Sequence, residues 1–143
     1  MIKTFHDIFT EVGKATKKAD KIAILHKNSS AALKQILGLT YDPRVNWLLP
    51  EGEPPYKPLS KSADQETGLL QETRRLYLFV EGDSEAQRNL SSLRREQLYV
   101  SMLESIDPDD AKVLLAMKTG KLPYKGLTRK LVAEAFPNMA KDW

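Results

Sequence analysis

The chain has 143 residues, of which 41% are hydrophobic and 29% are charged, with a formal net charge of +3 and no cysteine. This composition suits one soluble globular domain, and it excludes wholesale disorder and a membrane-spanning chain, because no apolar run approaches the roughly 20 residues that cross a bilayer. The lack of cysteine excludes disulfides, thiolate nucleophiles and cysteine-ligated zinc, and it agrees with a reducing cytoplasm.

The basic N-terminal part of the chain has the pattern of three short helices. Thr4 begins the first helix, with Asp7 three residues on in a near capping box, and Gly13 is its predicted end. The second helix should cover residues 16–27, where sparse apolar positions are typical of a surface helix. The third should follow a polar turn and end at Gly38.

The second and third helices also permit a DNA-binding helix-turn-helix. Ala23 lies where a small residue would let two helices cross. Short helical hairpins occur in all-α proteins of every function, so this reading remains an alternative. The side chains available to read base edges would be Ser29, Ser30, Lys34 and Gln35.

Five of the eight prolines fall between residues 40 and 62, a density that excludes a long helix or a central strand. The same stretch carries large apolar side chains, so we predict an ordered extended loop pinned to the helices by Trp47, Leu48 and Leu49. A second reading is a Pro-rich ligand presented to a partner. The candidate partner-binding residues of that reading are Pro54, Pro55, Tyr56 and Pro58.

A helical core is predicted in the second half of the chain. Its first helix should run from residue 67 or 68 to Val80, and residues 83–89 should form a connection. The segment from Asn89 to Ile106 has apolar residues around more than half of the helix circumference, so we predict that it is the central helix. The cluster expected around it contains Leu76, Phe79, Leu93, Val100 and Leu103.

The last two helices have clear boundary signals. Asp107 is a predicted N-cap, followed by Pro108 at the first helical position, and Gly120 should stop this helix. Thr128 should cap the final helix, which ends before Pro137.

No set of residues in the sequence has the pattern of a catalytic site. His6 and His26 are the only histidines, and neither has a second ligand at metal-binding spacing. Asp107, Asp109 and Asp110 are explained by helix capping without a metal ion. Phosphate-binding, nucleophile-elbow and zinc-protease motifs are absent. We therefore expect no enzymatic activity and no cofactor.

The charge is unevenly distributed, with a balance of +4 in residues 1–34, −6 in residues 51–110 and +5 in residues 111–143. The ends could neutralise the middle within the fold or across a homo-oligomer, or they could form a basic surface for nucleic acid. The candidate nucleic-acid contacts are Lys118, Lys121, Tyr124, Lys125, Arg129 and Lys130. Tyr124 could stack on a base or cap a small core.

Four stretches of this sequence form a recognisable set: Trp47–Pro58, Arg74–Phe79, Leu103–Ala111 and Leu122–Gly126. Together they resemble small uncharacterised proteins of T4-like tailed phages, including phages of marine bacteria. The resemblance implies a phage protein made in the cytoplasm of a bacterial host, and it implies no functional site, because that family has no assigned function.

These observations predict a single all-α domain over residues 1–143, a compact bundle of six or seven short helices with one ordered Pro-rich loop. It should divide into a basic helical part (1–39), the loop (40–66) and the helical core (67–137). The expected function is that of a non-enzymatic phage accessory protein that binds a host or phage protein, without a membrane partner. The alternative is a nucleic-acid-binding protein that uses its basic N- and C-terminal segments.

Overall fold

The computed structural model describes residues 3–59 and 69–143, which fold around one hydrophobic core. No strand forms within these two ranges, so the predicted all-α class is confirmed. None of the helices described is long and apolar enough to cross a membrane. The elements are α1 (Phe5–Lys14), α2 (Lys18–Lys27), α3 (Ala31–Tyr41), α4 (Leu69–Glu72), a 3₁₀ helix (Thr73–Phe79), α5 (Glu85–Asn89), α6 (Ser92–Ser105), α7 (Pro108–Met117) and α8 (Arg129–Ala135).

Side-chain caps begin α1, α7 and α8 at the residues that the sequence predicts, whereas α2 follows Lys17, which makes no side-chain cap. Thr4 accepts a hydrogen bond from the amide of Asp7, whose carboxylate accepts one from the amide of Thr4, which completes the capping box. Ser30, Asp107 and Thr128 each accept hydrogen bonds from backbone amides two or three residues on. These starts were predictable because each cap involves only residues adjacent in sequence.

Glycine predicted two helix ends wrongly. α1 continues past Gly13, and α3 continues past Gly38 to Tyr41. Neither glycine has a positive φ, so neither ends its helix in a left-handed cap. Gly120 has φ +83° and closes the turn that follows the end of α7 at Met117. The last turn of α3 is stabilised by burial of Tyr41, whose hydroxyl donates to the carbonyl of Leu127 at 2.9 Å.

The helix predicted up to Val80 is α-helical only over α4 and then tightens into the 3₁₀ helix. Residues 67 and 68 lie outside the described residues. The 3₁₀ helix buries Thr73, Leu76 and Phe79, which stand three residues apart and therefore share one face at three residues per turn. A period of 3.6 residues, which predicts an α-helix, does not reveal this pattern.

The connection predicted over residues 83–89 contains α5. Ser84 and Gln87 form a second capping box, and the Gln87 side-chain amide donates to the carbonyls of Tyr77 (2.9 Å) and Val80 (3.0 Å). This helix raises the number of α-helices in the described residues to eight, against the six or seven predicted. The Ser-x-x-Gln spacing was the signal that could have predicted it.

The prediction that α6 is the central helix is wrong. α6 buries one face, but Leu93 is 66% exposed and Val100 is only half-buried. α7 is the central helix instead, because it contacts α1, α3, α4 and α6. Of the predicted cluster, three members are fully buried in the core: Leu76, Phe79 and Leu103.

The helix-turn-helix alternative expected α2 and α3 to cross closely at Ala23, and the structure does not show this crossing. Ala23 is exposed rather than packed between α2 and α3. α3 is a core helix, with Leu33 and Ile36 fully buried, and it contacts α7, α8 and the 3₁₀ helix. A recognition helix needs an exposed face that can enter the major groove, whereas much of the surface of α3 packs against the core.

Candidate functional site

The Pro-rich loop is ordered over residues 42–59 and held by backbone and side-chain contacts; residues 60–66 of the predicted loop lie outside the described residues. The amide of Leu48 donates to the carbonyl of Phe79 (2.8 Å), and that of Glu81 donates to the carbonyl of Asn46 (2.9 Å). The indole of Trp47 donates to the carbonyl of Leu39 at 3.2 Å. The predicted pinning of the loop to the helices is confirmed for this part.

Lys118 anchors the loop from the C-terminal end of α7. Its ammonium donates to the carbonyl oxygens of Pro50, at 2.7 Å, and Gly52, and it lies 5.8 Å from the ring centroid of Tyr99. Gly52 has φ +86°, a left-handed conformation that other residues rarely adopt. Burial lowers the pKa of Lys118, and the charge of Glu51 offsets part of this effect. The side chain of Lys118, which the sequence predicts as a nucleic-acid contact, therefore binds the loop.

Two open hollows flank the anchored loop. The larger, about 950 Å³, lies between the loop and α7, and the smaller, about 330 Å³, lies between the loop and α6. Both volumes are in the range of ligand-binding pockets. We refer to the two hollows together as the loop–helix face. Its principal lining residues are Trp47, Leu49, Tyr56, Leu115 and Ala116 in the larger hollow, and Pro54, Pro55, Glu96, Tyr99 and Val100 in the smaller.

The candidate partner-binding residues divide between the hollows. Tyr56 is half-buried against the core and lines the larger hollow, while Pro54 and Pro55 line the smaller one. Burial raises the pKa of Tyr56, and nearby Glu53 adds to the rise. Pro58 is exposed and lies outside both linings. Pro54 and Pro55 therefore form part of the wall of the smaller hollow, whereas Pro58 does not.

Tyr124 caps the core rather than presenting a free ring face. Its hydroxyl lies 2.9 Å from Nδ1 of His6, and its ring centroid lies 5.5 Å from that of Phe9 and 5.8 Å from that of His6. Burial raises the pKa of Tyr124, and the charge of Asp110 adds to the rise. Of the two roles predicted for Tyr124, the structure shows the capping of a small core.

The two basic ends of the chain meet through Lys21. Its buried ammonium donates to the carbonyls of Val12 (2.7 Å), Ala15 (2.6 Å) and Lys125 (3.3 Å), which joins the end of α1 to the segment before α8. Gly126 lies against this lysine; its φ is +76°, and a Cβ there would stand 2.7 Å from Cε of Lys21. The remaining predicted nucleic-acid contacts are exposed: Lys121, Lys125, Arg129 and Lys130.

Sequence reasoning also missed two buried charged side chains besides Lys21. Asp110 is 1% exposed and accepts a hydrogen bond from the amide of His6 at 3.0 Å, and burial raises its pKa to about 6. Arg95 donates to the carbonyls of Leu78, Gln87 and Leu90. Each stands on the apolar face of its helix, three or four residues from a buried neighbour, which was the available signal.

Among the residues described, no three histidine or acidic side chains converge in a way that could hold a metal ion. Asp107 and Asp109 contribute to the start of α7, where the Asp107 carboxylate accepts a hydrogen bond from the Asp109 amide at 2.8 Å. His26 is engaged elsewhere, with Nε2 2.6 Å from the carbonyl of Ala135. These groups act in capping and packing.

A model described as a family of unknown function, DUF6433, matches residues 8–124. The chain belongs to this family. The DUF6433 match contains every residue that lines the two hollows, and it ends before Lys125, Arg129 and Lys130. No curated protein and no solved structure matches the chain.

Proposed function

We propose that this protein is a non-enzymatic accessory protein of a tailed phage, which binds a host or phage protein in the bacterial cytoplasm through the loop–helix face. The observation that carries the proposal is an anchored loop with open space on both sides. Because Trp47 and Lys118 already fix the loop, a partner that binds there would order few additional groups.

The chemistry of the loop–helix face supports a protein partner. Trp47, Leu49 and Tyr56 are half-buried, so each packs on the core and still lines the larger hollow. Aromatic side chains held in this way supply contact area at low entropic cost, and they are enriched where proteins bind each other. Loops positioned by a rigid scaffold commonly carry binding function.

Phage origin and cytoplasmic location are parts of the same proposal. The stretches Trp47–Pro58 and Leu103–Ala111 resemble sequences of T4-like tailed phages, and the first of these forms much of the loop–helix face. The cysteine-free sequence agrees with a reducing compartment.

The test is photocrosslinking in phage-infected host cells. The photoreactive amino acid p-benzoylphenylalanine replaces Glu53, which is exposed and lines both hollows, or Lys141, an exposed control outside the face. We expect a discrete cross-linked product at position 53 that is absent at position 141. No product at position 53, or the same products at both positions, would contradict the proposal.

The second candidate function is nucleic-acid binding by the joined basic ends. The contact that favours it is the one between Lys21 and the carbonyl of Lys125, which places the lysine-rich second helix beside the basic C-terminal segment. Such a surface would contact phosphates with little sequence preference. Three contacts count against this function. Lys18 pairs with Glu134 at 2.8 Å, Lys118 bonds to the carbonyl of Pro50, and the hydroxyl of Tyr124 contacts His6.

A gel shift with duplex and single-stranded DNA tests this second function. The comparison is between the parent and a variant with Lys121→Glu, Lys125→Glu and Lys130→Glu, three exposed positions. Binding by the parent that weakens steeply with salt and is lost in the variant would support it. Equal binding by both proteins, or none by either, would remove the C-terminal segment as a nucleic-acid site.

A further inference from the structure

We infer that the smaller hollow and the outer face of α6 bind a basic amphipathic helical segment of a partner protein; this inference rests on the proposed function and specifies its partner. The surface, here called the acidic groove, comprises the smaller hollow together with Leu93. Three features of the structure carry the inference: its carboxylates, its exposed apolar side chains and the spacing between them.

Carboxylates surround the smaller hollow. Glu51 and Glu53 line it from the loop, and Glu96 lines it from α6. None of the three forms an ion pair with another residue in the part of the chain that the structure describes. The surrounding segment, residues 51–110, has a balance of −6, so the charge of the groove is not cancelled by its own stretch of chain.

Lys118, the one lysine among the described residues that line the smaller hollow, does not neutralise it fully. Lys118 lines the hollow, but its ammonium is directed to the carbonyls of Pro50 and Gly52. The charge of Glu53 reaches the floor of the hollow: burial raises the pKa of Tyr99, and Tyr56 and then Glu53 add to that rise. A cationic side chain entering here would meet more negative than positive charge.

The apolar part of the groove extends onto α6. Pro54, Pro55 and Val100 line the hollow, and Leu93 is 66% exposed on α6. Leu93, Glu96 and Val100 stand three and four residues apart, so they share one face of the helix. Exposed leucine beside an apolar hollow and carboxylates is a surface that an amphipathic partner would cover.

The spacing fits a helix. Val100 lies seven residues after Leu93, which corresponds to about 10 Å along the axis of α6 at roughly 1.5 Å per residue. A partner helix aligned with α6 would place apolar side chains at positions i and i+7 over these two points, with lysine or arginine beside them facing Glu53 and Glu96. Helix-in-groove recognition commonly uses anchors at this spacing.

The experiment uses the full chain with a synthetic helical leucine–lysine peptide, whose leucines repeat at i, i+3, i+4 and i+7, and a leucine–glutamine peptide of the same pattern. Calorimetry measures binding to the parent, to a Glu53→Lys, Glu96→Lys variant and to a matched Asp83→Lys, Glu85→Lys control, which changes the same charge at exposed positions outside the groove. Circular dichroism checks that each variant retains the helical fold.

We expect the parent and the control to bind the leucine–lysine peptide equally, the groove variant to bind it about tenfold or more weakly, and salt to weaken the parent complex. Lack of binding by the parent, equal binding of both peptides, or equal loss in both variants would overturn the inference. Self-association of the parent that the groove variant loses would assign the groove to a second copy and overturn a separate partner. If position 53 forms a cross-link but the leucine–lysine peptide does not bind, this inference fails and the proposed function stands. If there is neither a cross-link nor peptide binding, both the inference and the proposed function fail.

Discussion

α6 and α7 are neighbouring helices that differ in how far their apolar side chains are buried and in how many other elements they contact. α6, over Ser92–Ser105, is the longer and leaves Leu93 and part of Val100 in water. α7, over Pro108–Met117, is shorter but buries residues on several sides, because α1, α3, α4 and α6 all pack on it. The comparison shows that a wide apolar surface does not make a helix central; contact with many other elements does.

The two helices also differ in the buried charge that each carries. Asp110 of α7 accepts hydrogen bonds from the amides of His6 and Leu69, so it joins α1 and α4 to the central helix. Arg95 of α6 donates to carbonyls in the segment between the 3₁₀ helix and α6. A buried charge costs free energy unless it is satisfied, and both are satisfied by backbone groups of other segments.

The largest effect is expected from truncating a core leucine of α7, with an exposed leucine of α6 as the comparison. Leu114→Ala, at a fully buried position of α7, should lower the free energy of unfolding by about 2–5 kcal/mol, because it removes buried methyl groups and leaves a cavity. Leu93→Ala on α6 should change it by less than about 0.5 kcal/mol. Urea unfolding measures both, and similar losses in the two variants would contradict the burial of Leu114 and the exposure of Leu93.

The next effect is a pH dependence that arises from Asp110. Burial raises its pKa to about 6 from the usual 3.8, so between these two pH values the folded state holds a proton that the unfolded chain releases. Its contribution should therefore be complete below about pH 4 and be lost as the pH rises through about 6, with a size on the order of 2–3 kcal/mol. Urea unfolding between pH 4 and 7 measures this dependence.

Asp110→Asn provides the control for that pH dependence. The neutral amide keeps an oxygen that can accept the hydrogen bond from His6, but it cannot titrate. We expect the Asp110→Asn variant to retain the fold. Between pH 4 and 6, its free energy of unfolding should change less with pH than that of the parent. An unchanged slope would show that the pH dependence has another source.

The smallest change in the free energy of unfolding should come from replacing Arg95, with its exposed neighbour Arg94 as the control. Arg95→Ala leaves the carbonyls of Leu78, Gln87 and Leu90 without these hydrogen bonds, so it should destabilise by about 1–3 kcal/mol and speed hydrogen exchange in α5. Arg94→Ala, at an exposed position of the same helix, should have little effect. Equal exchange rates in α5 of the two variants would show that Arg95 does not hold this segment.

The sequence by itself determined the all-α class, the starts of the capped helices α1, α3, α7 and α8, and the existence of an ordered Pro-rich loop. Thr4, Ser30, Asp107 and Thr128 cap helices through amides within three residues of themselves, so no distant contact was needed to predict them. The dense prolines excluded regular structure over the loop for an equally local reason, since each proline restricts its own backbone and that of the residue before it.

Only the tertiary structure decided which helix is central, where α1 and α3 end and which cations are exposed. Lys118 bonds a carbonyl 68 positions earlier in the chain, and Lys21 bonds one 104 positions later, so both are removed from the basic surface that composition suggests. Tyr124 is likewise engaged by His6 at the other end of the chain. A charged or aromatic residue has the same local pattern whether water or a distant carbonyl satisfies it, and only the folded contacts distinguish the two cases.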